Sequence, residues 1–403
     1  MRLLRLAVDS PIPAESMLPN ACQAARRKRP VLLALQKAFL TLIILSAIIG
    51  SISCHRRVID PPPLPYLAFV ANQHGRSVAV VDLARFNVLA SLAVAPDPDQ
   101  VVVRPRSQEV YVVSTSGLIS VIGFPDLRVI KSMRVGRSAG NLVFSPDGRL
   151  AYLLEPGAGQ IVFIDCEQGR EAARLRVGPN LSNLALTPDG KTLIAADGNS
   201  GNIYFISVDS RKVLGSILAG KGPGPMGILP DSSKVFIALA GENKISVVNV
   251  ASRQFLSNLE LGSTPSALIV KPDGGEIFVL SFEGATITVL DAFHDNVELS
   301  FTTGRQPAAA ALRRDASVLY IASAADGNII ALDAPNRTVL PPPVHVGISP
   351  RALTLTPDER YLVVADSGSS SLAILRTDRN ELVTTIPVGD LPVDVAVPDW
   401  LRK

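Results

Sequence analysis

The sequence predicts an all-β chain: a closed β-propeller of four-stranded blades, eight of them. Three observations carry the prediction. A Pro-Asp corner recurs about every 42 residues; the runs between corners are short and rich in β-branched residues; and no sustained 3.6-residue helical period appears within the repeats. Four short strands per period is the content of one blade. Seven blades is the alternative if one unit is displaced.

The corners are Pro146-Asp147-Gly148, Pro188-Asp189-Gly190, Pro230-Asp231-Ser232, Pro272-Asp273-Gly274, Pro357-Asp358-Glu359 and Pro398-Asp399, with Pro105 and Arg314-Asp315 on the same grid. A glycine stands about ten residues before the corner, at Gly136, Gly178, Gly220, Gly262, Gly304, Gly347 and Gly389, and a proline often about seven before, at Pro98, Pro223, Pro265, Pro307, Pro350 and Pro392. Each corner leads into a run such as Glu276–Ser281, then a Gly-containing turn, then a second run such as Thr286–Asp291. Several runs, including Val101–Val103 and Ile161–Ile164, are apolar on both faces, as expected of blades stacked face to face. The repeats open at Tyr66–Asn72 with the outer strands of a blade and end at Pro392–Val397 with an inner strand. The last strand is therefore expected to complete the first blade and remove the free sheet edges.

Residues 66–403 are assigned to the propeller, and what precedes them is of another kind. Residues 1–30 read as an N-terminal extension, with Met17 an alternative start. Arg26–Arg29 and Lys37 lead into an uncharged stretch from Ala38 to Ser53 that ends at Cys54. Within residues 31–54, a basic region, an apolar region and small residues form an export pattern. Three outcomes stay open: lipidation at Cys54, a retained membrane anchor, or plain cleavage. Each places the propeller outside the cytoplasm, in the periplasm or on the surface of a bacterium. Residues 55–65, with Pro61-Pro62-Pro63, read as a stiff linker.

Charge follows the same division. Residues 1–57 hold nine Lys/Arg and two Asp/Glu, a net of +7; the whole chain is +3, so the remainder carries about −4. The propeller thus has no basic excess for nucleic acid. Only Cys166 of the three cysteines falls in the repeats, so no disulfide can form within them, and a core of this size needs none.

The C-terminal unit carries a family resemblance. Leu362–Ser367, Ser371–Leu375, Val383–Gly389 and Pro392–Val397 resemble the YVTN-type β-propeller repeat of exported bacterial proteins. The framework extends over about 335 residues, although the name motif survives only as Tyr111-Val112-Val113-Ser114 and Phe69-Val70-Ala71-Asn72. The resemblance implies the propeller fold; its repeated residues build turns and packing and carry no chemistry.

Catalytic signals are sparse. His74, His294 and His345 fall at unrelated blade positions, no Gly-x-Ser-x-Gly elbow occurs, and Gly220–Pro225 lacks the ending of a phosphate loop. No cofactor is expected. Aligning the units on their corners selects one position near the start of each inner strand: Gln100, Asn141, Asn183, Pro225, Ala267, Ala309, Ala352 and, allowing a one-residue deletion, Asp394. Gln100, Asn141, Asn183 and Asp394 are adjacent around a closed ring. With Arg137 as the nearby cation, this polar arc at the channel mouth is the candidate site for a small polar or anionic ligand. The expected function is a non-enzymatic binding scaffold for a protein, glycan or small molecule, attached to a membrane. The alternative is a lactonase-like, lyase-like or cofactor-carrying propeller enzyme.

Overall fold

The computed structural model describes residues 66–399. The N-terminal extension, the export segment with Cys54 and the whole proline-rich linker lie outside the described residues, as do residues 400–403. Among the described residues, 32 strands form eight four-stranded antiparallel sheets. Their innermost strands contact one another in sequence and return from the eighth to the first, which makes an eight-bladed propeller.

Blade 1 combines the first and last strands: Leu67–Asn72 pairs with Pro392–Ala396, with Phe69 opposite Ala396 and Ala71 opposite Asp394. Ser77–Asp82 and Asn87–Ala93 complete it. The expected closure is observed. Blades 2 to 8 follow as residues 98–134, 142–176, 181–218, 223–260, 267–302, 307–345 and 350–387.

The corner residues act as their chemistry dictates. Asp147 Oδ1 accepts from Ser145 Oγ (2.6 Å) and from the Arg149 N–H (3.0 Å), closing the turn on itself. Asp189 and Asp358 repeat the pattern with Thr187 and Thr356. Five of the six prolines begin inner strands, where a missing N–H costs no ladder bond: Pro98, Pro223, Pro307, Pro350 and Pro392 are buried first residues, whereas Pro265 precedes the strand Ala267–Val270. The second and third strands of each blade are almost wholly buried, whereas outer strands such as Asn87–Ala93 alternate with solvent. This is the burial expected when sheets stack through their middles and expose their rims.

The repeated glycine has a specific cause. A Cβ at Gly136, Gly220, Gly304, Gly347 or Gly389 would fall within 3.1 Å of the side chain of Glu155, Leu239, Ser323, Asp366 or Asn72 respectively. In each case the neighbour is the last residue of the second strand of the blade that the loop enters. Gly178 instead lies over the Tyr204 ring, and Gly262 has open space around it.

Candidate functional site

Strand direction gives the ring two faces. The loops that enter the inner strands share one, the inlet face, with the turns between second and third strands. The Pro-Asp corners and the turns between third and fourth strands lie on the other, the corner face.

The register places the aligned residues at equivalent points. Gln100, Asn183, Ala309, Ala352 and Asp394 stand opposite Val113, Ala196, Ala322, Ala365 and Ala71, each the fifth residue of its second strand. Asn141 belongs with them, its carbonyl accepting from the Leu154 N–H at 3.1 Å. The register shift just before Asp394 recurs before Gln100, Asn183, Ala309 and Ala352, so the one-residue deletion lies between Asp394 and the corner at Pro398.

Three of the four arc side chains turn out to join neighbouring blades. Asp394 Oδ2 accepts from the Val101 N–H of blade 2 at 2.8 Å. Gln100 clasps Leu142 of blade 3: its Oε1 accepts from the Leu142 N–H (2.8 Å) and its Nε2 donates to the Leu142 carbonyl (3.4 Å). Asn141 Nδ2 donates to the Leu184 carbonyl of blade 4 at 2.6 Å. Ser182 carries the series onward, its Oγ donating to the Pro223 carbonyl of blade 5 at 2.8 Å. Each such bond contributes about 1 kcal/mol and satisfies inner-strand backbone that has no fifth strand to pair with. Pro225, Ala267, Ala309 and Ala352 have no side-chain hydrogen-bonding group, so these four positions make no such link; elsewhere in that half Ser367 Oγ donates to the Pro392 carbonyl at 2.6 Å and joins blade 8 to blade 1.

The Asn183 side chain has no hydrogen-bond partner among the described residues. The Asp394 carboxyl is pushed up to about 6, chiefly by burial, with Asp99 adding to the rise and the Val101 and Val395 N–H groups opposing it. Arg137 stands on the inlet face; its own N–H is held by Glu155 Oε1 at 3.1 Å, and its exposed guanidinium has no partner among the described residues. It borders a cavity of about 460 Å³ shared with Ser138, Glu155, Gln160 and Arg174. The same backbone device recurs at Lys221, held by Glu242 (2.9 Å), and at Arg305, held by Asp326 (2.7 Å), so acidic residues fix the loops that present these cations.

Two buried groups escaped the sequence reading. Asp366, in blade 8, is fully buried with neither carboxyl oxygen hydrogen-bonded. Tyr152, in blade 3, is fully buried with its hydroxyl unpartnered. The repeat alignment places both on second strands, but their lack of partners depends on the turn that follows and on the next blade. Among the described residues no group of three or more His, Cys, Asp or Glu could hold a metal ion. Cys166 is buried, and burial pushes its thiol up to about 11.

No family model matches the sequence, and no curated protein matches it. Solved structures do. The dihydro-heme d1 dehydrogenase NirN in complex with DHE is 16% identical with a TM-score of 0.72, covering 83% of this chain and 76% of that one. Hydrazine synthase of Kuenenia stuttgartiensis is 21% identical with a TM-score of 0.56, over 70% of this chain and 98% of that one. Apo AztD from Citrobacter koseri is 14% identical with a TM-score of 0.63, over 82% and 96%. At these identities the likeness is one of fold: the chain is an eight-bladed β-propeller.

Proposed function

We propose that this chain is an exported, membrane-attached propeller of the YVTN-repeat type, acting as a non-enzymatic binding scaffold at the inlet mouth of its channel. The observation that carries the reading is the division of labour within the polar arc. Gln100, Asn141 and Asp394 are committed to neighbouring strands, which leaves the Asn183 amide and the Arg137 guanidinium without partners among the described residues. One neutral amide and one cation suit a small polar or anionic ligand, or such a group on a protein or glycan. Attachment rests on the basic and apolar segment ending at Cys54.

The test begins with the full chain screened by thermal shift against small carboxylates, phosphates and sugars. Arg137→Ala with Asn183→Ala should weaken a hit roughly tenfold or more, the effect of losing a hydrogen bond to a charged group. Unchanged affinity moves the site elsewhere. Attachment is checked separately with labelled palmitate: label present in wild type and absent from Cys54→Ala supports lipidation, and equal labelling of the two excludes it.

An enzymatic reading draws on NirN and hydrazine synthase, whose names describe catalysts. The residues present do not fit a haem-type group: the eight equivalent channel positions include no His, Met, Cys or Tyr to ligate an iron.

A further inference from the structure

Tyrosine occupies the third position of the second strand in three blades: Tyr111, Tyr152 and Tyr320. Two of the hydroxyls are satisfied by the next blade, at the residue that follows its third strand. Tyr111 bonds the Cys166 thiol, and Tyr320 donates to the Thr377 carbonyl at 3.3 Å. For Tyr152 the equivalent residue is Val208, which has no polar side chain and whose main-chain carbonyl the hydroxyl does not reach. The Tyr152 ring is fixed edge-on against Phe163, with centroids 5.3 Å apart, and its buried hydroxyl stays unpartnered. An orphaned buried hydroxyl costs roughly 1–3 kcal/mol, so the fold does not keep it for stability.

That tyrosine and Val208 both line a cavity of about 770 Å³ on the corner face, in the seam between blades 3 and 4. Asp147, Asp165, Glu167, Asp189 and Asp209 line it too, against Arg149 as the one cation of the lining. Asp147, Asp165 and Asp189 use Oδ1 to close their own turns. The neighbouring cations hold these acids loosely or face away. Arg149 and Lys191 are largely exposed and 3.9 Å from Asp147 and Asp189, while Arg211 stands over the Phe163 ring and donates to Ala172. Asp147 and Asp209 also bear on the phenol, adding to the burial that pushes it up to about 12, so it stays a neutral hydroxyl able to accept or donate.

We propose that this seam is a binding site for an organic cation, an amine or guanidinium, whose N–H groups are taken by the carboxylates and by the Tyr152 hydroxyl. The size of the cavity suits such a molecule rather than a bare ion, and Leu150, Val208 and the Tyr152 ring supply an apolar wall for its carbon chain.

The test is isothermal titration of the full chain with two probes: agmatine, a free cation, and acetyl-Gly-Arg-Gly-amide, which carries the same group on a peptide. Saturable binding of either supports the site, and the probe that binds more tightly identifies the source. Tyr152→Phe should weaken binding roughly fivefold and Asp209→Asn roughly tenfold. The phenylalanine variant keeps the fold, because Phe236 and Phe278 occupy the same position in blades 5 and 6. Asp231→Asn, at the equivalent corner of blade 5 and outside this cavity, should leave affinity unchanged. No saturable binding of either probe overturns the proposal, as does unchanged affinity in both site variants, or an equal loss in Asp231→Asn.

Discussion

Asp197 and Asp366 end the second strands of blades 4 and 8, occupy the same register position, and are both fully buried. Asp197 is surrounded by donors: Oδ1 accepts from the Asn199 and Ser200 N–H groups (3.1 and 3.0 Å) and Oδ2 from the Asn180 N–H (3.4 Å). Asp366 has none. The turns that follow explain the contrast. In blade 4 the Gly201 N–H, with φ +78°, returns to the Asp197 carbonyl four residues back, which leaves the Asn199 and Ser200 N–H groups to the carboxylate. Blade 8 has Ser370 in place of that glycine. There the Ser369 N–H closes a tighter turn on the Asp366 carbonyl (3.2 Å), and the Gly368 N–H goes to the Ile348 carbonyl (2.9 Å). Blade 7, with Gly327, again makes the wider turn. One residue in a hairpin thus decides whether the same buried carboxylate is solvated by backbone or stranded.

The largest expected effect is on the pH dependence of stability. Burial pushes Asp366 from its ordinary 3.8 up to about 7. The folded state therefore holds this proton more tightly than the unfolded chain does. The resulting penalty is absent below about pH 4, grows as pH rises, and is complete above about pH 7. At about 1.4 kcal/mol per pH unit it amounts to something on the order of 4 kcal/mol. Chemical denaturation between pH 4 and 8 should show wild-type stability falling across this window. Asp394, also raised, contributes to the lower part of the fall. Asp366→Asn should remove the portion that extends to pH 7, and an unaltered profile would mean that the carboxylate is solvated.

Next in size is the opposite substitution. Asp197→Ala strands up to three backbone donors and should destabilise the propeller by roughly 2–3 kcal/mol at pH 7, seen as a lower denaturation midpoint with unchanged slope. A loss no greater than that of an exposed aspartate would break the comparison. The smallest effect sharpens it. Ser370→Gly should allow blade 8 the wider turn, bring N–H groups to Asp366, and lower its titration midpoint by about one unit, for a gain of about 1.4 kcal/mol at neutral pH. A midpoint that does not move would place the cause outside the hairpin.

Much of the architecture was legible because its determinants are local. Pro-Asp corners close on their own neighbours, so their spacing counted eight blades, and the offset between Tyr66 and Val397 foretold the shared first blade. The aligned arc was legible as positions and not as contacts. Whether Gln100 faces the channel or clasps Leu142 depends on the distance to the next blade, which no single repeat encodes. The glycines read as turn residues, yet their partners, Glu155 beneath Gly136 and Asp366 beneath Gly347, come from the following blade. The unpartnered state of Tyr152 was invisible for the same reason: whether its hydroxyl finds an acceptor depends on how closely blade 4 approaches.

Closure by the last strand also sets an order of events. Leu67–Asn72, six buried residues long, is made before the other seven blades, and its partner Pro392–Ala396 only after them. Until then an apolar edge with unpaired N–H and C=O groups stays open to any passing strand. The entropy of closing so long a loop grows only slowly with its length, so the hazard lies in the waiting time and not in the final equilibrium. For this chain, synthesis and folding are separated most widely at the blade that locks the ring.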